Sequence, residues 1–333
     1  MITKQELKEK EEKDISFFKR LFYWMVANFK FLLIPGYSVE DLQQREIEYK
    51  KRKSKRKFIR RLKSFLTIMG IIIILMIVTF AVFAPWISPY SYNDLLRGFF
   101  TNDYEPPNLE HILGTTFNGR DVFGRAIYGA RTSLTIALPA LLLAVSGGIV
   151  IGLIAGYYGG WVDSVLMRIM DIFLAFPGLI LILVFISIWG RQIQFFMLAY
   201  GILGLAGYSR LIRGSVLQAK ELDYVKAAKV SGASNLRIIF KHILPNCIQP
   251  ILISFTFDIG GVILSLAGLS FLGLGNPDQL IEWGNDVAAT ESALHYAPWA
   301  FFVPGIMIVI TVFGCMLLGD GLRDALDPRL RNL

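Results

Sequence analysis

The most regular feature of the sequence is a series of long stretches without charged side chains. Five of them contain no Asp, Glu, Lys or Arg, and they occupy residues 65–93, 132–162, 172–190, 192–209 and 292–319. A sixth stretch, 243–277, contains Asp258 as its one charged residue. A helix that crosses the hydrocarbon core of a bilayer needs about 20 apolar residues. The pattern therefore predicts an all-α, polytopic membrane protein with six transmembrane helices.

The same pattern divides the chain into a polar extension and a membrane domain. Residues 1–63 are predicted to form a basic extension, in which 21–36 is interpreted as a helix on the membrane surface, with a seventh span as the alternative. Residues 64–333 form the predicted six-span domain, with kinks expected at Pro139 and Pro177. We expect the spans at about 64–84, 132–155, 166–189, 192–210, 248–272 and 298–318.

The distribution of basic residues predicts the orientation in the membrane. Eighteen of the 34 Lys and Arg residues precede residue 64, and seven more lie between the fourth and fifth spans, whereas 276–297 contains none. Because loops rich in Lys and Arg stay in the cytoplasm, both termini are predicted to be cytoplasmic. The basic run ahead of the first span is interpreted as an anchor on anionic membrane lipid, and nucleic-acid binding is not favoured.

Cysteine and histidine usage argues against two classes of site. Cys247 and Cys315 are interpreted as lone buried thiols, so a disulfide framework is not supported. The three histidines lie in different loops and lack the spacing of metal ligands. We therefore expect no metal site in this chain, and neither paired carboxylates nor a Ser/His arrangement indicates catalysis.

The insert between the fourth and fifth spans, residues 214–247, is unusual because it is charged and helix-forming. Asp223 is the predicted N-cap of a first short helix, and Gly232 is predicted to end it in a left-handed conformation. Ser234 can cap a second helix, which Pro245 is expected to stop. Its predicted apolar face consists of Leu236, Ile239, Phe240 and Ile243. A linker helix resting on the membrane and a docking element for a partner both fit this pattern, and the small residues favour docking.

The segment "YVKAAKVSGASNLRIIFKHILPN" resembles the EAA motif of permease subunits in bacterial ABC-type importers, in the version of the C-type permease of oligopeptide and dipeptide importers. Four further segments carry the same resemblance: "HILGTTFNGRDVFGRAIYGARTSL", "GYYGGWVDSVLMRIMDIFLAFPGLIL", "LSFLGLGNPDQLIEWG" and "LGDGLRDALDPRLR". The resemblance covers about residues 64–333. It implies the ABC importer permease fold, with a cytoplasmic coupling helix, in a bacterial cell membrane.

The resemblance also implies partners and a mechanism. A second permease of related fold, two ATP-binding subunits and an extracellular solute-binding protein would complete the importer, and the transported solute would be a short peptide, although relatives of this type also carry nickel chelates or other small solutes. ATP and Mg would be bound by the ATPase subunits, so this chain would need no cofactor. ATP-driven closure of the ATPases would move the coupling helix and switch access from outside to inside.

Residues that match or occupy the motif are the candidate coupling site. They are Lys226, Ala227, Ala228, Gly232, Ala233, Ile243, Leu244, Pro245 and Asn246. Two positions depart from the family pattern. Lys226 replaces the acidic residue that gives the motif its name, and Leu266 stands where an acidic residue is frequent, four positions before "SFLGLG". Lys226 reverses a charge at the expected docking surface, so the partner contact there must differ.

The energy source is expected to lie in another chain. A phosphate-binding P-loop needs Gly-Lys followed by Ser or Thr, and this sequence has no Gly-Lys pair. Asp258, a charged residue inside a span, is the candidate for the translocation path. It can meet the amino terminus of a peptide, or it can pair with a basic residue of a partner subunit. The alternative function is a stand-alone, gradient-driven secondary transporter or channel, for which inverted repeats would be expected.

Overall fold

The computed structural model describes residues 64–98, 103–275 and 280–326. The predicted N-terminal extension lies outside these residues. The described chain is helical and contains no strand, and its helices are α1 (Phe65–Ile87), α2 (Tyr92–Arg97), α3 (Val122–Tyr158), α4 (Gly160–Leu174), α5 (Gly178–Trp189), α6 (Ile193–Lys220), α7 (Asp223–Val230), α8 (Asn235–Leu274), α9 (Trp283–Thr290) and α10 (Pro298–Leu326).

Five of these helices are each long and apolar enough to cross a membrane, namely α1, α3, α6, α8 and α10. The consecutive helices α4 and α5 supply a sixth span when they are taken together. The predicted all-α, polytopic fold is therefore confirmed, with five spans of one helix each and, when α4 and α5 are counted together, a sixth that is bent.

The third predicted span, 166–189, is bent next to Pro177, where a kink was expected, and the bend divides it into two helices. It is broken between Leu174 and Gly178, and its two halves meet at 84°. Pro177 has no N–H to donate, and its ring disfavours helical geometry at Phe176, so the helix ends before it. Pro139, where a kink was also expected, lies inside α3, which continues without interruption.

The second span begins ten residues earlier than the apolar pattern predicts. Asp121 caps α3, because its Oδ2 atom accepts a hydrogen bond of 2.7 Å from the backbone N–H of Gly124. An aspartate at this position satisfies one of the free N–H groups of the first turn. The polar segment before the predicted span is therefore part of the helix.

Helices α3 and α6 pack closely because glycines recur every four residues on α3, at Gly148, Gly152 and Gly156. A Cβ atom added at Gly152 would lie 2.8 Å from the Cβ of Ile212. One added at Gly156 would lie 2.7 Å from the Cβ of Val216. Small residues at this spacing let two helix backbones approach each other in a membrane, where van der Waals packing holds helices together.

Two ion pairs join α4 to α6. Arg213 binds Asp163 through two hydrogen bonds, Nε to Oδ1 at 2.5 Å and Nη2 to Oδ2 at 2.6 Å. Arg210 forms the second pair, with Asp171. Arg168 and Asp171 stand three residues apart at the start of a span, a spacing that predicts a local ion pair. This prediction is wrong, because Asp171 pairs with Arg210 of the neighbouring helix instead.

We predict that Gly152→Ala destabilises the membrane domain, because the new methyl group collides with Ile212. The expected loss is about 1–3 kcal/mol, the usual cost of overpacking, seen as a lower midpoint of thermal unfolding in detergent. Gly214→Ala on α6 is the matched control, since a Cβ there meets nothing within 4 Å. Equal midpoints for the two variants would contradict the close contact.

Candidate functional site

The insert begins with α7, and its start differs from the prediction. Leu222 occupies the N-cap position, and Asp223 is the first helical residue, without a capping hydrogen bond from its side chain. Asp223 still lies in the first turn, where a carboxylate interacts favourably with the helix dipole. The predicted cap at Asp223 is therefore wrong by one position.

Gly232 has the predicted left-handed conformation, with φ of 78°. It follows the end of α7 by two residues, and a Cβ atom at this position would meet nothing within 4 Å. Ser234 lies at the N-cap position of α8, as expected, but its side chain makes no capping hydrogen bond. Gly232 therefore reverses the chain on an open surface.

Pro245 does not stop the second helix of the insert, contrary to the prediction. Instead, α8 continues for 40 residues from Asn235 to Leu274, with a wider π-helical turn over Ile238–Ile243 directly before the proline. A proline removes one backbone donor. The side-chain amide of Asn246 supplies another, because its Nδ2 donates to the carbonyl of His242 at 2.7 Å. The insert is therefore helically continuous with the following span.

The wider turn also changes which side chains face the protein. Ile239 and Ile243 are buried, and Ile238 joins them. Leu236 and Phe240 are 66% and 59% exposed, so the four residues do not form the single apolar face that was predicted. A period of 3.6 residues does not apply across a π-helical turn.

The candidate coupling residues of the insert differ in how far they are exposed. Lys226, Ala227, Gly232, Pro245 and Asn246 are exposed, Ala228, Ala233 and Leu244 are partly buried, and Ile243 is fully buried. Lys226 pairs with Glu221 of the same chain at 3.2 Å on the surface. We define the insert surface by its exposed apolar side chains, Leu222, Val230, Leu236 and Phe240.

Hydrogen bonds tie the insert to the ends of the membrane helices. The hydroxyl of Tyr157, in the last turn of α3, donates to Asn235 Oδ1 at 2.8 Å. The carbonyl of Tyr157 accepts from Lys220 Nζ at 2.8 Å, and Asn246 Nδ2 donates to the hydroxyl of Tyr224 at 3.0 Å. The sequence did not identify Tyr157 as a contact of the insert, although the residue belongs to the "GYYGG" part of a segment that carries the family resemblance. The insert is thus attached to α3 as well as to α6 and α8.

A cavity of about 570 Å³ opens between the membrane helices. It is lined by residues of α3, α4, α5, α6 and α8 and of the bend between α4 and α5, and Asp258 is one of them. Tyr208 of α6 donates its hydroxyl proton to Asp258 Oδ2 at 2.6 Å. The candidate path residue therefore faces an open space inside the membrane domain and joins α6 to α8.

Helix α9 is packed into the protein on the side opposite the insert. Arg125 of α3 pairs with Asp286 of α9 through Nε, at 2.9 Å from Oδ1, and through Nη2, while its Nη1 donates to the carbonyl of Leu95 at 2.6 Å. Both side chains are less than 10% exposed. The sequence places Arg120, Asp121, Arg125 and Arg131 in an outer segment, which is predicted either to contact a delivering substrate-binding protein or to organise the entrance to the second span. Arg120, Asp121 and Arg125 are buried, and Arg131 is exposed. For the three buried residues, organising the entrance is the interpretation that burial favours.

The position of Trp283 in a loop between two spans predicts that its ring anchors at the membrane interface, and this prediction is wrong. The residue is fully buried, its Nε1 donates to the carbonyl of Ala126 at 2.9 Å, and Gly129 leaves room for its ring. Next to it, Glu282 caps α9 by accepting from the N–H groups of Gly284 and Asn285 at 2.8 and 2.9 Å. Burial raises the pKa of the Glu282 carboxyl, and these two hydrogen bonds oppose the rise.

Two family models match the chain. Residues 148–332 match the model described as the binding-protein-dependent transport system inner membrane component. Residues 56–107 match the one described as the N-terminal TM domain of oligopeptide transport permease C. The first match contains the insert, the cavity carboxylate and α9, and the second contains α1.

Several characterised relatives are similar over most of their length. The chain is 41% identical over 270 residues to the dipeptide transport system permease protein of Alkalihalophilus pseudofirmus, covering 81% of this chain and 88% of that protein. It is 40% identical to the oligopeptide transport system permease protein of Bacillus subtilis, covering 80% and 87%. It is 37% identical to the glutathione transport system permease protein of Pectobacterium atrosepticum, covering 83% and 92%.

The buried pair between Arg125 and Asp286 leads to a stability prediction. Asp286→Asn leaves the guanidinium buried without its counter-charge, a change that typically costs about 3–5 kcal/mol. We expect a lower thermal midpoint and a smaller yield of monodisperse protein in detergent. Replacing both residues together, Arg125→Met with Asp286→Leu, should recover much of the loss. A single variant as stable as the parent would contradict a structural role for the pair.

Proposed function

The chain belongs to the binding-protein-dependent transport system inner membrane component family, and on that premise we propose that it imports short peptides together with partner chains. It is a multi-pass permease subunit of an ABC-type importer in the bacterial inner membrane. The proposed partners are a second permease of related fold, two ATP-binding subunits that hold ATP and Mg, and an extracellular solute-binding protein. The observation that carries the proposal is the exposed insert, which is tied to three membrane helices.

A peptide substrate is supported by what the relatives are named for. Their names specify dipeptides, oligopeptides and glutathione, all of which contain amide bonds between amino acids. These solutes differ in length, while the permeases are similar to this chain to nearly the same degree. We therefore propose peptides as the substrate class, and leave the selection among them to the solute-binding protein.

The insert surface is the proposed docking site for an ATPase subunit. Its apolar side chains are exposed, and they lie in a segment that is also rich in lysine and arginine. Exposed apolar side chains rimmed by charge are typical of protein contacts. Lys226 and Glu221 lie at the rim, so the ATPase contact there would involve a mixed pair of charges rather than a lone acid.

The attachments of the insert support a transmission role. A displacement of α7 would pull on α6 directly, on α8 through Tyr224 and Asn246, and on α3 through Lys220 and Tyr157. Such movements would switch the pathway between outside and inside access. The cytoplasmic location of the insert and of both termini is supported by the Lys and Arg distribution.

Isolation from native membranes in mild detergent tests the proposed assembly. We expect the ATP-binding chains, a second permease and a solute-binding protein to co-purify with this chain and to be identified by mass spectrometry. Their presence would also provide the binding protein whose ligands can be screened against peptides. Recovery of this chain alone, or as a homo-oligomer, would contradict the proposal and favour a gradient-driven transporter.

Gly232 offers a test of the docking role. Gly232→Val forces a β-branched residue into a left-handed conformation, so the turn and the insert surface must shift. We expect peptide uptake by the reconstituted importer to fall at least about tenfold relative to ATP hydrolysis, as an uncoupling of more than ~1.4 kcal/mol would give. Gly232→Asn is the matched control, because Asn tolerates this conformation and should retain coupling.

Normal uptake in the Gly232→Val protein, with all subunits assembled, would refute the docking argument. Co-purification of the subunits must be measured for both variants. It separates a lost contact with the ATPase from a chain that fails to reach the membrane.

A further inference from the structure

The cavity inside the membrane domain contains one acidic side chain and no basic one. Among the described residues that line it, Asp258 is the only Asp, Glu, Lys, Arg or His. The rest are aliphatic, aromatic, glycine and serine residues. A carboxylate within a span is costly unless a cation or donors compensate it. The charge of Asp258 is therefore a feature that needs a specific partner.

The described residues provide only part of that compensation. Tyr208 donates one hydrogen bond to Oδ2, and no Lys, Arg or His within 64–98, 103–275 or 280–326 forms an ion pair with Asp258. No group of ligands that could hold a metal ion occurs in these ranges either. The Oδ1 atom is consequently available to a cation from outside this part of the chain.

The surroundings of Asp258 form a polar stripe. Ser254 and Ser265 precede and follow it on α8 by four and seven residues, which places all three on one face of the helix. On α6, Tyr200 and Tyr208 border the same cavity. The hydroxyl of Tyr200 lies 3.6 Å from where a Cβ of Gly261 would be, one turn beyond Asp258. Hydroxyl groups thus line the approach to the carboxylate.

The cavity also has room and aromatic walls. A Cβ added at Gly178 or Gly207, both in the lining, would meet nothing within 4 Å. Phe173 and Phe176 contribute further rings next to those of the tyrosines. Aromatic faces attract ammonium groups, and they do so more strongly when water is excluded.

We propose that Asp258 and Tyr208 form a half-site for a primary ammonium group of the transported solute. Asp258 Oδ1 accepts a charge-assisted hydrogen bond from the ammonium, Tyr208 holds the carboxylate in place, and the aromatic walls surround the carbon atom bonded to the nitrogen. The proposal deepens the proposed function, because a free amino terminus is the one cation that every unblocked peptide carries. A lysine of the second permease is the competing source of the same ammonium chemistry.

Cysteine labelling in the assembled importer tests the half-site without depending on transport. Ser254→Cys places a thiol one turn from Asp258, and the native Cys247 and Cys315 are buried. Two thiol reagents are compared: aminoethyl methanethiosulfonate, which is cationic, and sulfonatoethyl methanethiosulfonate, which is anionic. The rate at which each modifies the protein is divided by its rate with a small thiol in solution. The chain without the new cysteine gives the background.

We expect Ser254→Cys to react about tenfold faster with the cationic reagent than with the anionic one, after each rate has been normalised. A negative charge within a few ångströms readily produces such a difference in a medium less polar than water. Asp258→Asn should abolish the preference, and Asp258→Glu, the matched control, should retain it. Equal rates in the chain with native Asp258, or a preference that persists in Asp258→Asn, would overturn the proposal. The first of these results is informative even if Asp258→Asn fails to fold.

The source of the ammonium is tested by protection. Trialanine should slow the labelling of Ser254→Cys by the cationic reagent, whereas N-acetyl-trialanine at the same concentration should not. Equal protection by the two peptides, or none by either, would overturn the assignment to the solute. Loss of the second permease on purification of Asp258→Asn, but not of Asp258→Glu, would overturn it in favour of an intersubunit pair.

The two proposals fail in distinguishable ways. If the intact importer takes up no peptide, the proposed substrate class is wrong, whatever the labelling rates are. If uptake is normal but the reagents do not discriminate, the half-site is wrong and the importer assignment stands.

Discussion

The close contact between α3 and α6 is the constraint on which the rest of the membrane domain depends. Without side chains at Gly152 and Gly156, the two backbones approach until they meet Ile212 and Val216. That approach brings the end of α3 beside the end of α6, where Tyr157 meets Lys220 and the insert begins. A wider spacing would separate Tyr157 from Lys220 and Asn235, and the insert would lose its hydrogen bonds to α3.

The number and type of the spans could be predicted from the sequence, because in a bilayer every long uncharged stretch must satisfy its own backbone as a helix. Their ends could not, since polar residues extend helices when they find local partners. Asp121 starts α3 in a polar segment by capping it. Similarly, α6 continues to Lys220, ten residues past its predicted end, while Arg210 and Arg213 pair with carboxylates of α4. Such contacts lie far apart in the sequence and leave no periodic signal.

The candidate functional site could also be predicted only in part. Gly232 was found because a left-handed turn has a local chemical cause. Pro245 was misjudged because its effect depends on the π-helical turn before it and on the amide of Asn246. Trp283 was misjudged because an amphipathic ring suits both an interface and a buried pocket with one acceptor, and only the packing of Gly129 decides between them. Where a side chain suits two environments, the tertiary contacts determine which of them it occupies.

The hydrogen bond between Tyr208 and Asp258 is a second connection between two helices that the insert already links. Helices α6 and α8 are joined at one end by the insert and again, within the membrane domain, by this single bond. A ligand that strengthened or weakened this bond would change the freedom of the insert to move. By thermodynamic reciprocity, a partner that holds the insert would then change the affinity of the cavity for that ligand by the same factor. This one hydrogen bond would thus couple two distant binding events.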